Sequence, residues 1–387
     1  MNIEIAVPFL DLRFQFQSIQ AEIEAAALRV LRSGHYILGP ELANFEMQFA
    51  RYCNYPYAVG LSSGTDAIEL ALKSQGIGPG DDVLTVANVS APTICAILAT
   101  GARPVLIDID PDSYNIDPVS IREYLATQDH NRRARAIVPV HLYGRLAEMQ
   151  SIRELAREYD LKVITDASQA HGATFAGDFS EAIGDIGCFS LYPTKNLGAA
   201  GDAGIVVTND RTIANRLKML RNYGEIDRYD NREIGINSRL DEIQAAMLAV
   251  KLQYLNGWIT RRRQIADEYN QAFLAMGVLT EMQLHFDPQS HVYHLYVIRV
   301  ENRDEFRAAM AEKGVQTAVH YPRPIHQQPA FQDRCHMGPS LKQTEQACRQ
   351  VVSLPLYPEM TDEQVQAVIH ATAAVLRRER CTLQNMP

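Results

Sequence analysis

Between Tyr57 and Thr208, short apolar runs alternate with stretches of helical character. They are YAVGL (57–61), a helix from Thr65, VLTVA (83–87), PTICAILATGA (92–102), RPVLIDI (103–109), AIVPVH (136–141), a helix near Met149 to Tyr159, KVITD (162–166), IGCFSL (186–191) and GIVVT (204–208). Strands separated by helices imply βαβ units, so the pattern predicts an α/β fold with a mainly parallel central sheet flanked by helices. Ligands of such sheets gather at the carboxyl ends of the strands, where several of these runs end in polar clusters.

After about Asn209 the texture changes. SRLDEIQAAMLAVKLQYL (238–255) sets Leu240, Ile243, Ala246, Met247 and Val250 on one face, which predicts a long connecting helix. Beyond it come one strong strand, HVYHLYVIRV (291–300), a helix from Arg303, a short run QTAVH (316–320) and a terminal helix after the N-cap Thr361. The expected division is a large domain over 1–250, including an N-terminal helical segment, and a smaller α+β domain over 251–387. A chain of 387 residues is long enough for two lobes with interior to bury a ligand.

A formal charge of −9 argues against whole-surface affinity for nucleic acid or anionic membrane, so a phosphorylated ligand must be met by a local site. The start, MNIEIAVPFLDLRFQ, lacks a basic segment followed by an apolar run, and nowhere do eighteen apolar residues run unbroken. A cytoplasmic protein without membrane or nucleic-acid partners is expected. The 6 cysteines lie far apart with no C-x-x-C pair, so reduced thiols are expected rather than a disulfide framework or a metal site.

Three segments carry chemistry. LSSGTDAIELAL (61–72) reads as a strand end, a glycine turn and a helix start, a place where free N–H groups and the helix dipole suit a phosphate. Taken alone, the segment is better explained by a plain capped helix, with Ser63 or Thr65 satisfying an orphan N–H, and Gly60-Leu61-Ser62-Ser63-Gly64 also spells the G-x-S-x-G elbow of serine hydrolases, with Asp166 and His320 later in the chain. KVITDASQAHG (162–172) delivers Asp166 to a strand end, with Gln169 and His171 just beyond. A carboxylate there suits a protonated ring nitrogen, a helix cap or a triad acid; His171 reads as structural. GCFSLYPTKNLGAAGDAGIVVTND (187–210) sets Lys195 among small residues after an apolar strand. A desolvated ammonium loses its proton more easily, which suits an amine to attack on a carbonyl.

SSGTDA, TDASQAHG, FSLYPTKNLGAAGDAG and GINSRLDEIQAA, in that order, resemble the nucleotide-sugar aminotransferases of the DegT/DnrJ/EryC1/StrS family over nearly the whole chain. The resemblance implies a pyridoxal-phosphate-dependent aminotransferase of type I fold. It further implies pyridoxal or pyridoxamine phosphate as cofactor and a homodimer with shared active sites. By position, Lys195 resembles the lysine that holds the cofactor as a Schiff base and shuttles the proton. Asp166 resembles the partner of the pyridine nitrogen, Gln169 the group beside the ring hydroxyl, and Gly64, Thr65 and Ser190 the phosphate cradle. Asn237 is similar to the asparagine that reaches the phosphate from the neighbouring subunit. In one place the chain departs from the pattern: many relatives set an aromatic residue over the ring where this sequence has Ser90.

A lysine at 195 favours transamination over sugar 3-dehydration, for which relatives use histidine there. GPGDDV, SYNIDP, VPVHLYG, HYPRPIHQQPAF and SLPLYPEM resemble the dTDP-3-keto-6-deoxyhexose 3-aminotransferases of sugar-antigen and antibiotic biosynthesis, with glutamate as amino donor. Amination at C4, or of another keto sugar or cyclitol, is the alternative. Arg228, Tyr229, Tyr321 and Arg323 are candidates for nucleotide contact, with surface solvation an equal explanation for the arginines. A non-catalytic regulator that binds the cofactor and a hydrolase using Ser62 are the readings from other classes.

Overall fold

The computed structural model describes residues 7–127, 133–278 and 286–384. Its strands are β1 (Tyr57–Leu61), β2 (Asp81–Val86), β3 (Arg103–Ile107), β4 (Arg133–Val138), β5 (Lys162–Asp166), β6 (Ile186–Ser190), β7 (Gly204–Thr208), β8 (Glu225–Asp227), β9 (Asp230–Asn231), β10 (Tyr296–Arg299), β11 (His336–Met337) and β12 (Val351–Leu354). An 8-stranded sheet runs in the order β1-β7-β6-β5-β4-β2-β3-β11. All its pairings are parallel except those of β7, which is antiparallel to both β1 and β6. Parallel neighbours need a crossover, usually a helix. Residues 191–203 contain no α-helix, so the chain turns back at the end of β6 and leaves Lys195 in the turn.

β1 is followed by the helix Gly64–Ser74 and β2 by Ala91–Ala99, which pack against each other beside the sheet. Their inward faces, among them Ile68, Leu72, Ala96 and Ile97, are buried with Val83, Val138, Ile164 and Val206. β4 stops at Val138 because Pro139 has no N–H for the ladder. The Pro139 carbonyl instead accepts from Asp166 N (2.9 Å), which ties the strand end to the carboxylate-bearing residue.

The long helix expected over 238–255 is two helices, Glu242–Leu252 and Leu255–Ala275, with the chain turning at Gln253–Tyr254. The first packs on the N-terminal helices Gln20–Ser33 and Pro40–Tyr52. Its buried Glu242 accepts from the N–H groups of Gly39 (2.8 Å), Glu41 (2.9 Å) and Leu42 (2.9 Å), so a side chain from another helix caps the start of Pro40–Tyr52. Residue 250, the expected domain boundary, lies inside Glu242–Leu252.

The later lobe pairs β10 antiparallel with β12. Its core joins Tyr269, Phe273, Phe306, Tyr357 and Val368. HVYHLYVIRV is strand only over Tyr296–Arg299. Its first half spends its N–H groups on another loop, Val292 N on Gly144 O (2.9 Å) and Leu295 N on Tyr143 O (3.2 Å). QTAVH forms only an isolated bridge, Ala318 with Ser353. The lobes interlace: Val7, from the start of the chain, bridges Val315, and β11, from the later part, forms the edge of the large sheet beside β3. Cys53, Cys95, Cys188, Cys335 and Cys348 are free thiols, and Cys381 lies outside the described side chains. No described helix is long and apolar enough to cross a membrane.

Candidate active site

A cleft of about 390 Å³ opens where β5 and β6 end and the helix Gly64–Ser74 begins. At this helix start Ser63 is the N-cap, its hydroxyl accepting from Asp66 N (3.1 Å). The N–H groups just before, with no intrahelical partner, lie at the cleft wall formed by Gly64 and Thr65. Gly64 is there because a Cβ would fall 2.6 Å from Ser190 Cβ and 2.9 Å from its Cα. Gly204 is equally crowded, a Cβ meeting Ser63 O at 2.1 Å. The glycines let the turn close onto the ends of β6 and β7, and Gly64, Thr65 and Ser190 together form a cradle suited to an anion.

Asp166 sits at the bottom of the cleft, 4% exposed. Its Oδ2 accepts from Thr93 Oγ1 (2.8 Å) and its Oδ1 from Ser168 N (3.1 Å), contacts that fix the carboxylate plane. Beside it, Gln169 Oε1 accepts from Tyr143 N (2.6 Å) and its Nε2 donates to Tyr321 Oη (3.2 Å). The same Tyr321 hydroxyl meets the Ser90 side chain. The small residue at 90 is thus bonded to a tyrosine that arrives from the other lobe.

Lys195 lies in the β6–β7 turn, its N–H donating to Tyr192 O (2.9 Å). The helix Glu242–Leu252 braces that turn from behind, with Lys251 Nζ on Gly198 O (2.7 Å) and Gln244 Oε1 accepting from Ala200 N (2.9 Å). Lys195 keeps some surface on the cleft, yet its ammonium lies deep among protein atoms. That desolvation lowers its pKa to about 8, with Asp166 opposing the shift. Three histidines surround the site. Burial lowers His171 to about 3, His320 to about 4 and His294 well below its usual value, and the Lys195 charge adds to each shift, so all three are neutral near pH 7.

Seven of the eleven candidate cofactor and substrate residues therefore share one cleft, Gly64, Thr65, Asp166, Gln169, Ser190, Lys195 and Tyr321, together with Ser90 and His320. Four do not line it in the single chain. Asn237 is exposed, bridged to Asn222; Arg228 and Tyr229 lie exposed at the β8–β9 turn, with Arg228 Nη2 donating to Tyr229 Oη (3.1 Å); and Arg323 points to solvent. The hydrolase constellation does not assemble. The Ser62 hydroxyl donates to Asp66, which also receives Ser238 Oγ (2.6 Å), while His320 Nδ1 is bonded to Ser353 Oγ (2.8 Å) and Asp166 to Thr93. Sequence reading missed Thr93, Tyr143 and His294. Thr93 and His294 sat in runs read only as helix and strand, and what betrays them is a polar side chain where the pattern calls for an apolar one.

A cradle for an anion, a carboxylate for a ring nitrogen and a desolvated lysine at the strand ends of a mainly parallel, helix-flanked sheet would fit many ligands singly; together on this topology they define the pyridoxal-phosphate enzymes of the type I aminotransferase fold. The chain belongs to the DegT/DnrJ/EryC1/StrS aminotransferase family, whose model matches residues 17–373. It is 44% identical, over 94% of its length and 98% of the relative, to the dTDP-3-amino-3,6-dideoxy-alpha-D-galactopyranose transaminase of Aneurinibacillus thermoaerophilus. Among solved structures it resembles S. venezuelae DesV in complex with a ketimine intermediate, with TM-score 0.89 and 42% identity, covering 95% of this chain and 98% of that one. It also resembles the Bacillus subtilis protein ntda with bound cofactor PMP, with TM-score 0.87 and 34% identity, covering 97% of this chain and 86% of that one. The protein is an aminotransferase, and its cofactor is pyridoxal phosphate.

Proposed function

We propose that this enzyme transfers the amino group of glutamate to C3 of a nucleotide-linked keto sugar, a dTDP-3-keto-6-deoxyhexose, and that it works as a homodimer. The observation that carries the reading is the shared cleft of Lys195, Asp166 and the Gly64–Ser190 cradle. The sugar and its nucleotide follow the names of the relatives, which describe 3-amino sugars on dTDP.

In this reading Gly64, Thr65 and Ser190 bind the cofactor phosphate through the helix start. Asp166, held by Thr93 and Ser168, keeps a proton on the ring nitrogen, and Gln169, locked between Tyr143 and Tyr321, orients the ring hydroxyl. When bound, pyridoxal phosphate supplies an electron sink for the carbon that loses its proton. Lys195 anchors the cofactor at rest. During turnover its Nζ takes the proton from the amino-bearing carbon of glutamate, and in the second half it returns a proton to C3 of the sugar. A pKa near 8 leaves a usable fraction of neutral amine at neutral pH.

Support for the dimer comes from the surface. Phe14, Leu31, Tyr36 and Ile37 on the N-terminal helices and the following turn, and Ile226, Tyr229 and Ile234 around the β8–β9 hairpin, are all exposed apolar groups. Asn237, Arg228 and Tyr229 lie on or next to that hairpin, so in this reading they serve the cleft of the partner copy. The test is incubation with glutamate and a panel of nucleotide-linked keto sugars, with the product analysed by mass and NMR. A 3-amino dTDP-sugar is the expected product. Amination at C4, or turnover only of an unlinked keto sugar or cyclitol, overturns the assignment.

A further inference from the structure

His294 is pinned at one ring nitrogen and open at the other. Asn196, the residue after Lys195, is 3% exposed, and its Nδ2 donates to the Val292 carbonyl at 3.3 Å. A carbonyl only accepts, so the amide orientation is fixed and Oδ1 is the atom that faces His294 Nδ1 at 3.2 Å. Oδ1 in turn only accepts, so the proton of the neutral ring resides on Nδ1 and Nε2 carries a lone pair. No described residue bonds to Nε2, and His294 lines the cleft together with Lys195.

The ring is also held against swinging. Val292 N and Leu295 N are bonded to Gly144 O and Tyr143 O, and the buried Arg262 donates from Nη1 to the carbonyls of Tyr293 (3.0 Å) and Leu356 (3.0 Å). His320, the other imidazole on this wall, differs in one respect. Its Nδ1 meets a hydroxyl, Ser353 Oγ, which both donates and accepts, so its tautomer is not fixed in the same way.

We propose that His294 is a specificity-determining residue for the sugar: its Nε2 accepts a hydrogen bond from a hydroxyl of the bound keto sugar, and Asn196 is the positioning residue that keeps the ring in the accepting tautomer. The proposal rests on the keto-sugar reading above. An ether, a ketone or a carboxylate would set lone pair against lone pair at Nε2, whereas a sugar hydroxyl supplies the missing proton. The side chain of glutamate offers none, so the two halves of the reaction depend differently on this residue.

The test has two parts, both on the holoenzyme. In the first, the protein is labelled with 15N-histidine, and His294 is assigned by comparison with H294F. The expected spectrum shows a proton on Nδ1 in the wild type, kept in N196D, whose carboxylate still accepts from Nδ1, and mixed tautomers in N196L. The Nε2 resonance is expected to shift on addition of a dTDP-3-keto-6-deoxyhexose but not of dTDP. A wild-type ring protonated on Nε2, or no shift with the sugar, overturns the proposal. In the second part, H294F is expected to lose about 10- to 100-fold in kcat/KM for the keto sugar while the glutamate half-reaction stays within about twofold. Equal losses in both halves, or none, overturn it. A wild-type enzyme that consumes glutamate but aminates no nucleotide sugar counts instead against the substrate reading, and the tautomer spectra then still decide the role of Asn196.

Discussion

The two walls of the cleft are built on different principles. The cofactor wall, from Ser63 to Ala203, consists of strand ends, glycine turns and a helix start, fixed largely by backbone. The opposite wall comes from the later lobe and consists of side chains, His294, His320 and Tyr321, each held by a partner distant in sequence. A backbone-built wall gives every ligand the same phosphate and ring geometry. In the proposed reading the side-chain wall meets the sugar, so changes there would alter sugar preference without disturbing the chemistry.

Substitutions separate the walls by which half of the reaction they damage. In the proposed mechanism K195A removes anchor and proton shuttle together, so both half-reactions should fall by at least about 10²–10⁴-fold, with loss of the visible absorbance of the lysine-bound cofactor. Normal turnover by K195A would put the chemistry elsewhere. G64A drives a Cβ into Ser190 and should weaken cofactor binding, read by dialysis and refilling, more than it alters the affinity for sugar nucleotide. R221M leaves Glu46 buried without its guanidinium partner and should cost about 3–5 kcal/mol of stability, read by denaturant unfolding. That variant tests whether the β1 end, held by Glu46 and Arg221 through Gly60, is as rigid as its bonds imply.

Smaller effects sharpen the contrast. T93V removes one of the two donors to Asp166 and should slow both halves by about fivefold, a loss of about 1 kcal/mol. Because burial lowers Lys195, cofactor capture by the apoenzyme should rise with pH as the amine loses its proton, with a midpoint near the value of about 8. Stopped-flow absorbance reads that midpoint; a value near that of a free lysine amine would contradict the desolvated site.

The backbone wall was the legible one. KVITD and GIVVT are strands from end to end as read, and Lys195, Asp166 and Gln169 line one cleft, because Asp166 ends a strand and the other two follow one within a few residues. The side-chain wall was not. HVYHLYVIRV has the composition of a long strand, but Tyr143 and Gly144, both at positive φ, turn their carbonyls toward 292–295 and take the N–H groups a sheet partner would use. Periodicity carries no information about a competitor distant in the chain. Tyr321 was read as a nucleotide contact from its HYPRP setting, while its hydroxyl is bonded to Gln169 and Ser90, a partnership visible only once the lobes are folded together.

The crossing of chain between the lobes bears on how this enzyme could be recombined. Val7 is hydrogen-bonded between Gly314 and Gln316, and β11 completes the edge of the large sheet. A chimaera cut at residue 250, with the later half taken from a relative to import its sugar preference, would inherit two foreign seams: an N-terminal segment matched to the wrong small lobe, and an edge strand matched to the wrong sheet. The workable unit of exchange is discontinuous. It carries the segment around Val7 and Leu10 together with the later half and leaves β11 with its host.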